Sequence, residues 1–241
     1  MTETVEDPVA LMELERLELD LFRGIGSGGE TSVRIFGGHV VAQTLAAAYH
    51  TVETRLCHSL HAYFMRPGDP SIPVVYSVDR ARDGGSFTTR RVIALQHGKQ
   101  ILNLSASFHI LEERWQHQHA MPKVAGPDGL TERHVLRQRN VDTLPKQYRK
   151  DYVRPRPIEV RELAPTNHCD PNPAPDLNHL WFRMRRAASQ TPQMQHCLLA
   201  YASAYEPPWL IIATAWFDMV QRRGHDRQSG SCDVVSCTGS I

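Results

Sequence analysis

The first half of the chain has one long apolar segment followed by runs in which apolar and polar positions alternate. The segment His39–His50 is rich in alanine, contains no Gly or Pro and is apolar on most faces, which predicts a buried helix. Gly37 and Gly38 precede it and allow another backbone to approach its start closely. A short amphipathic stretch, Leu14–Phe22, and a glycine-rich bend come before these glycines.

Four runs with a period of two follow this helix and predict β-strands. They are His58–Met65, Val74–Arg80, Phe87–Leu95 and Ile101–Ile110. In the last run, one face carries Leu102, Leu104, Ala106 and Phe108. The connectors Asp83–Ser86 and His97–Lys99 have the composition of tight hairpin turns. The pattern predicts an α+β unit in which a curved antiparallel meander wraps one buried helix.

In the second half of the chain a predicted strand and an apolar helix occur again, but no alternating runs follow them. From Glu112 to Ala188 the sequence is polar and interrupted by proline, as in a linker, although Leu180–Met184 predicts a strand. A second helix is predicted over Pro192–Tyr205, with Pro192 early in its first turn and Cys197, Leu198, Leu199, Tyr201 and Ala202 on its apolar faces. After Glu206 no alternating runs follow. We therefore expect too few residues for a second sheet.

Composition and charge narrow the function classes. The 241 residues are 41% hydrophobic, and 27 basic against 26 acidic side chains give a net charge of +1, which argues against a general nucleic-acid binder. No apolar run approaches the roughly 20 residues that span a bilayer. Five scattered cysteines are typical of reduced thiols. We expect a soluble cytoplasmic protein with no membrane span and no nucleic-acid partner.

Five motifs resemble, in order and spacing, those of the acyl-CoA thioesterase II family. They are Asp20–Gly24, Ile35–Gln43, His58–Pro70, Gly85–Phe87 and Gln96–Lys99. The block His58-Ser59-Leu60-His61-Ala62-Tyr63-Phe64-Met65-Arg66-Pro67-Gly68-Asp69-Pro70 is the most specific of them. The likeness extends over roughly residues 12 to 205, about four fifths of the chain.

The resemblance implies a double hotdog fold in one chain. The family hydrolyses medium- to long-chain fatty acyl-CoA to free fatty acid and CoA without a metal or an organic cofactor. An Asp on the second central helix, a later Ser or Thr and a later Gln activate the attacking water, since a carboxylate accepts its proton and neutral groups orient it. We expect residues 12–112 to form the N-terminal hotdog, 113–175 a linker and 176–241 an incomplete second hotdog.

Carried over residue by residue, the resemblance leaves this chain without its catalytic groups. The family sequence Tyr-x-Ser-Asp falls on Tyr201-Ala202-Ser203-Ala204, so Ala204 occupies the position of the general base. The family Ser or Thr and Gln are not present. One-nucleotide-shifted codons for residues 232–239 can encode Ala-Met-Trp-Phe-His-Ala-Pro, which resembles a family block. We therefore interpret the tail from about residue 206 as truncated or frameshifted. Activity is expected to be impaired, and the alternative is a non-catalytic acyl-CoA-binding hotdog remnant.

Three side chains near the predicted elements are candidates for contact with acyl-CoA. His39 and His58 either touch the thioester or are hydrogen-bonded packing histidines. Arg66 either binds a CoA phosphate or is a turn arginine paired with Asp69. A metal site at His117 and His119 is not expected, because no Cys or carboxylate lies nearby to complete it. The expected partners are acyl-CoA and further copies of the chain in a homo-oligomer.

Overall fold

The structure, a computed structural model, describes residues 7–25, 34–112, 117, 120, 122–165, 179–184 and 189–204. These residues fall into two compact units. The first unit takes its described residues from 7–116 and 189–205, and the second from 117–188.

The first unit contains an antiparallel sheet and two helices. Its strands are β1 (Glu15–Glu18), β2 (Leu21–Gly24), β3 (Leu56–Phe64), β4 (Val74–Asp83), β5 (Phe87–Gln96) and β6 (Lys99–His109). Its helices are α1 (Gly37–Tyr49) and α4 (Pro192–Ser203). The second unit contains α2 (Arg133–Asn140), α3 (Lys146–Tyr152), β7 (Ile158–Glu162) and β8 (Leu180–Met184).

The sheet of the first unit has the order β1-β2-β4-β5-β6-β3, and every adjacent pair is antiparallel. The predicted meander is correct for β4, β5 and β6 and wrong for β3, which pairs with β6 rather than with β4. Backbone amides of Met65 and Arg66 bond to the Ile101 carbonyl as the chain leaves β3, and the loop to Val74 crosses two strands.

The stretch Leu14–Phe22 contains most of a β-hairpin that its amphipathic pattern did not predict. β1 and β2 turn at Leu19 and Asp20, and Asp20 has a positive φ of 60°, which short polar side chains tolerate. The Asp20 carboxylate accepts hydrogen bonds from Arg80 on β4, which fixes the turn to the sheet. Most side chains of the hairpin are exposed, so it has little apolar pattern to reveal it.

The core of the first unit lies between α1 and the inner face of the sheet. Every residue of α1 from Gly38 to Ala48 is buried, which confirms the predicted buried helix. The predicted apolar face of β6 is also buried: Leu102, Leu104, Ala106 and Phe108. The predicted hairpin at His97–Lys99 is confirmed by positive φ angles at His97 and Gly98, the conformation of a two-residue turn.

Helix α4 packs against α1 in an antiparallel direction. The ring of Tyr201, near the end of α4, contacts Phe36 at the start of α1, and Tyr49 at the end of α1 bonds to His196 near the start of α4. Thr191 caps the helix by accepting a hydrogen bond from the Met194 amide, and Pro192 occupies the first turn. The predicted helix and its start are confirmed.

The second unit contains most of the described residues of the segment 113–175, which is predicted to be a linker. They contain α2, α3 and β7, and β7 pairs with the predicted strand β8. Glu159 on β7 is buried although it carries a charge. Arg161 and Arg183 both form ion pairs with its carboxylate and compensate that charge. The boundary at residue 176 stays a prediction. No helix in the described ranges is long and apolar enough to cross a membrane.

Candidate functional site

The start of α1 combines amides without a side-chain cap and two closely packed glycines. Phe36 is the N-cap residue and makes no side-chain hydrogen bond to the helix. The first amides of a helix have no acceptor inside it and carry a partial positive charge. The amides of His39 and Val40 bond to the Phe36 carbonyl, so those of Gly37 and Gly38 are the N–H groups here of the kind that polarise a carbonyl oxygen.

The two glycines lie against neighbours on different elements. A Cβ added at Gly37 would lie 3.0 Å from Cε1 of Phe64, the last residue of β3. A Cβ added at Gly38 would overlap the backbone carbonyl oxygen of Tyr201 on α4. The prediction that another backbone approaches here is confirmed, and the approaching backbone is that of α4.

The end of α4 carries the position that the family resemblance gives to the general base. Ala204 is the C-cap residue of α4, three residues after the Tyr201 carbonyl that abuts Gly38. This position therefore lies close to the start of α1, but its methyl group cannot accept a proton. The Ser203 hydroxyl donates to the Ala200 carbonyl at 2.8 Å, which ties it to the helix. The other two family positions lie outside the described residues.

His58 lies on the other face of the sheet. It is the extra residue of a bulge in β3, and its Nε2 is 2.8 Å from Oγ of Ser107, whose neighbours Ala106 and Phe108 point to the core. Its ring also contacts His109 and Phe87. Desolvation, followed by the nearby His109, lowers the pKa of His58. The structure does not bring His58 to the start of α1.

Arg66 is exposed, and its guanidinium donates to the Gln100 carbonyl at 2.9 Å. The predicted pairing with Asp69 is wrong, because Asp69 accepts from the amide and hydroxyl of Ser71 instead. Gln96 holds the loop: its amide nitrogen donates to the carbonyls of Asp69 and Ile72, and its oxygen accepts from the Asp69 amide. This contact gives a structural role to the first residue of the Gln96–Lys99 motif.

His39 is 1% exposed and lies in the first turn of α1. Burial lowers its pKa to about 4, while nearby polar groups of Gln43 and Ile25 partly offset this effect. Neither ring nitrogen has a hydrogen-bond partner among the described residues. The interpretation as a packing residue fits this burial, but the expected hydrogen bonds are absent there.

Two buried polar side chains were not predicted. Gln43 on α1 accepts from the Tyr76 hydroxyl and donates to the Leu11 carbonyl, which ties the N-terminal segment to the helix. Arg90 on β5 is buried and bonds to Thr51 and Asp83. Because inward and outward residues alternate along β5, the inward orientation of Arg90 could have been predicted from the sequence.

The described part of the chain contains no group of three or more His, Cys, Asp or Glu side chains able to hold a metal ion. His119 lies outside the described residues. Burial raises the pKa of Cys57 to about 11 and raises the pKa of Cys197 as well. Both thiols are therefore protonated near neutral pH, which makes them poor nucleophiles.

Comparisons with known proteins agree on one family. A family model described as the acyl-CoA thioesterase N-terminal domain matches residues 28–109. Acyl-CoA thioesterase 2 of Haemophilus influenzae is 35% identical over 207 residues, which cover 85% of this chain and 72% of that protein. Acyl-coenzyme A thioesterase 8 of the mouse is 36% identical over 214 residues, covering 86% of this chain and 66% of that protein.

Solved structures agree with the fold. An acyl-CoA thioesterase II from Mycobacterium marinum is 35% identical, with a TM-score of 0.60 over 82% of this chain and 68% of that one. A hotdog protein of unknown function from Alicyclobacillus acidocaldarius has a TM-score of 0.63 at 20% identity, over 86% of this chain and 71% of that one, and supports the fold alone. The predicted α+β hotdog class is confirmed.

Proposed function

We propose that this chain, which belongs to the acyl-CoA thioesterase II family and is by that resemblance a thioester hydrolase, acts on medium- to long-chain fatty acyl-CoA. The observation that supports a site is the meeting of the uncapped start of α1 with the end of α4 at Ala204. The products are a free fatty acid and CoA.

The chemistry is the attack of water on the thioester carbonyl. The new carbon–oxygen bond forms as water gives a proton to a base or to solvent, and the amides at the start of α1 stabilise the oxyanion. The carbon–sulfur bond then breaks, and the leaving thiolate takes up a proton to give the CoA thiol. Two observations argue against a covalent route: the Ser203 hydroxyl is bonded to the helix, and the Cys57 thiol has a raised pKa.

We propose that this chain is impaired because Ala204 cannot take the proton of the water. Loss of a well-placed general base costs about 10² to 10⁴ in rate. The amide donors at the start of α1 do not depend on residue 204. We therefore expect this chain to bind the substrate but to hydrolyse it slowly.

The test is thiol release from palmitoyl-CoA by the chain and by Ala204→Asp in a version whose tail is read one nucleotide later. Activity confined to the restored protein supports the proposal. Ser203→Asp in the same restored tail is the matched control, since it adds a carboxylate at the adjacent, exposed position. Equal activity of the unaltered and restored chains would place the catalytic groups elsewhere.

A second candidate function, a non-catalytic acyl-CoA binder, is favoured by Ala204 itself. A binder needs an apolar surface and no proton acceptor. Calorimetric titration with palmitoyl-CoA during a parallel thiol assay separates the two, because a binder gives saturable heat without thiol release.

We also propose a homo-oligomeric, cytoplasmic protein. Among the described strands, β3 lies at an edge of the sheet, and an edge strand presents unpaired backbone groups to another chain. Light scattering after size-exclusion chromatography measures the oligomeric state, and a monomer at all concentrations contradicts it. The location is supported by the scattered cysteines, and fractionation of the source cells tests it.

A further inference from the structure

We propose that Phe64 determines specificity for the acyl chain of the substrate, by forming an apolar wall beside the start of α1. The inference rests on the proposed function, because it takes a fatty acyl group as the ligand. Phe64 is thereby the residue that sets the preferred length of the acyl chain.

Phe64 points to the helix side of the sheet. It pairs with Leu102 on β6, and residues paired in an antiparallel sheet project from the same face. Leu102 is fully buried beneath the helix layer. The Phe64 ring also lies against Gly37, in the first turn of α1. A ligand that places its carbonyl at the start of α1 therefore meets this ring.

Although it faces the helix side, Phe64 is 59% exposed. Leu60, on the same face of β3 four residues earlier, is 37% exposed. Large apolar side chains left open on an inner face gain free energy when an apolar ligand covers them. Leu60 and Phe64 thus form an open apolar surface next to the proposed site.

The form of this surface suits an extended hydrocarbon. Leu60, Ala62 and Phe64 follow one another at two-residue spacing, and a strand advances about 3.4 Å per residue, so the strip is roughly 14 Å long. Strand β3 contains no Asp, Glu, Lys or Arg. An uncharged linear strip favours an alkyl chain over a charged ligand.

The adjacent residue provides a matched control. Tyr63 is 60% exposed, pairs with Asn103, and contacts the His61 ring in a tilted arrangement on the opposite face. Phe64 and Tyr63 therefore have similar size and exposure and lie on the same strand, but only Phe64 faces the start of α1. A general effect of removing an exposed aromatic ring is expected to be equal for both.

The experiment is calorimetric binding of octanoyl-, dodecanoyl- and palmitoyl-CoA, and of CoA alone, to the full chain and to Phe64→Ala and Tyr63→Ala. We expect Phe64→Ala to weaken palmitoyl-CoA binding about tenfold or more, to weaken octanoyl-CoA less and to leave CoA unchanged. Tyr63→Ala is expected to match the unaltered chain. Phe64→Leu keeps an apolar side chain and is expected to give a smaller loss with the same dependence on length.

Two failures are distinguishable. If the unaltered chain binds none of the acyl-CoA compounds, the proposed function fails and the inference fails with it. If the unaltered chain binds them and the ratio of palmitoyl- to octanoyl-CoA affinity is the same in the Phe64 and Tyr63 variants, the role of Phe64 alone is overturned.

Discussion

The two central helices of the first unit are held in place by different means. Helix α1 has no side-chain cap, and its 11 residues from Gly38 to Ala48 are all buried. Helix α4 has a Thr191 cap and a proline in its first turn, and its buried residues are confined to Cys197–Ala202. Burial therefore specifies α1, whereas local sequence signals specify the start of α4.

The chemistry follows the same division. At the start of α1, packing requires a glycine at position 38, because the Tyr201 carbonyl oxygen leaves no room for a Cβ. The end of α4 has Ala204, the C-cap residue of the helix, at the position of the family base. Packing constraints preserve a scaffold without preserving its reaction, so a chain can retain the fold of the family and lack its proton acceptor.

Gly38→Ala is expected to disrupt the contact between α1 and α4 more than any other variant proposed below. The added Cβ would overlap the Tyr201 carbonyl oxygen, which is backbone and cannot turn away, so we expect a loss of about 3 kcal/mol in the free energy of unfolding. Urea denaturation measures it.

Gly37→Ala is the matched control for this variant. The added Cβ meets only the Phe64 ring, which is exposed and can move, and alanine favours a helix over glycine. We expect a change within about 1 kcal/mol. Equal effects of the two variants would contradict the view that α4 is the rigid neighbour.

The dependence of stability on pH tests the burial of α1, because His39 is buried in the first turn of this helix. The pKa of His39 is about 4 in the folded protein against 6.5 for an unperturbed histidine. Between these values the unfolded chain binds a proton that the folded chain does not, so stability falls as the pH decreases from 6.5 to 4. The expected loss is about 3 kcal/mol.

Urea unfolding at pH 7.5 and pH 4.5 measures this loss, and His39→Leu is expected to reduce it. The control is His61→Leu, since His61 is exposed on the other face of the sheet. If both variants keep the full pH dependence, groups other than His39 cause it.

The sequence predicts the elements whose side chains alternate cleanly, and misses those that depend on distant partners. Helix α1 and strands β3 to β6 follow from their periodicity. Strand β7 was missed because its alternation covers only a few residues within polar sequence interrupted by proline. The burial of Glu159 in it depends on Arg183 from another strand. The pairing of β3 with β6 was missed because alternation gives the face of a strand and not its neighbour.

The candidate site divides in the same way. Ala204 and the two glycines were available from the sequence, since they lie in motifs with a clear resemblance. The missing hydrogen bonds of His39 and the place of His58 on the outer face were not, because both depend on which strands surround the residue. Tertiary contacts decide what a titratable side chain can do.

The local specification of α4 is tested by Thr191→Ala, the smallest of the expected effects. The Thr191 hydroxyl accepts from the Met194 amide at 3.3 Å, and removing a threonine cap costs about 1 kcal/mol. Thr191→Ser keeps the hydroxyl and is expected to match the unaltered chain. Because α4 packs on α1, the loss belongs to cooperative unfolding of the first unit, which circular dichroism in urea measures. If Thr191→Ala leaves stability unchanged, packing alone holds α4, and the two helices are then specified in the same way.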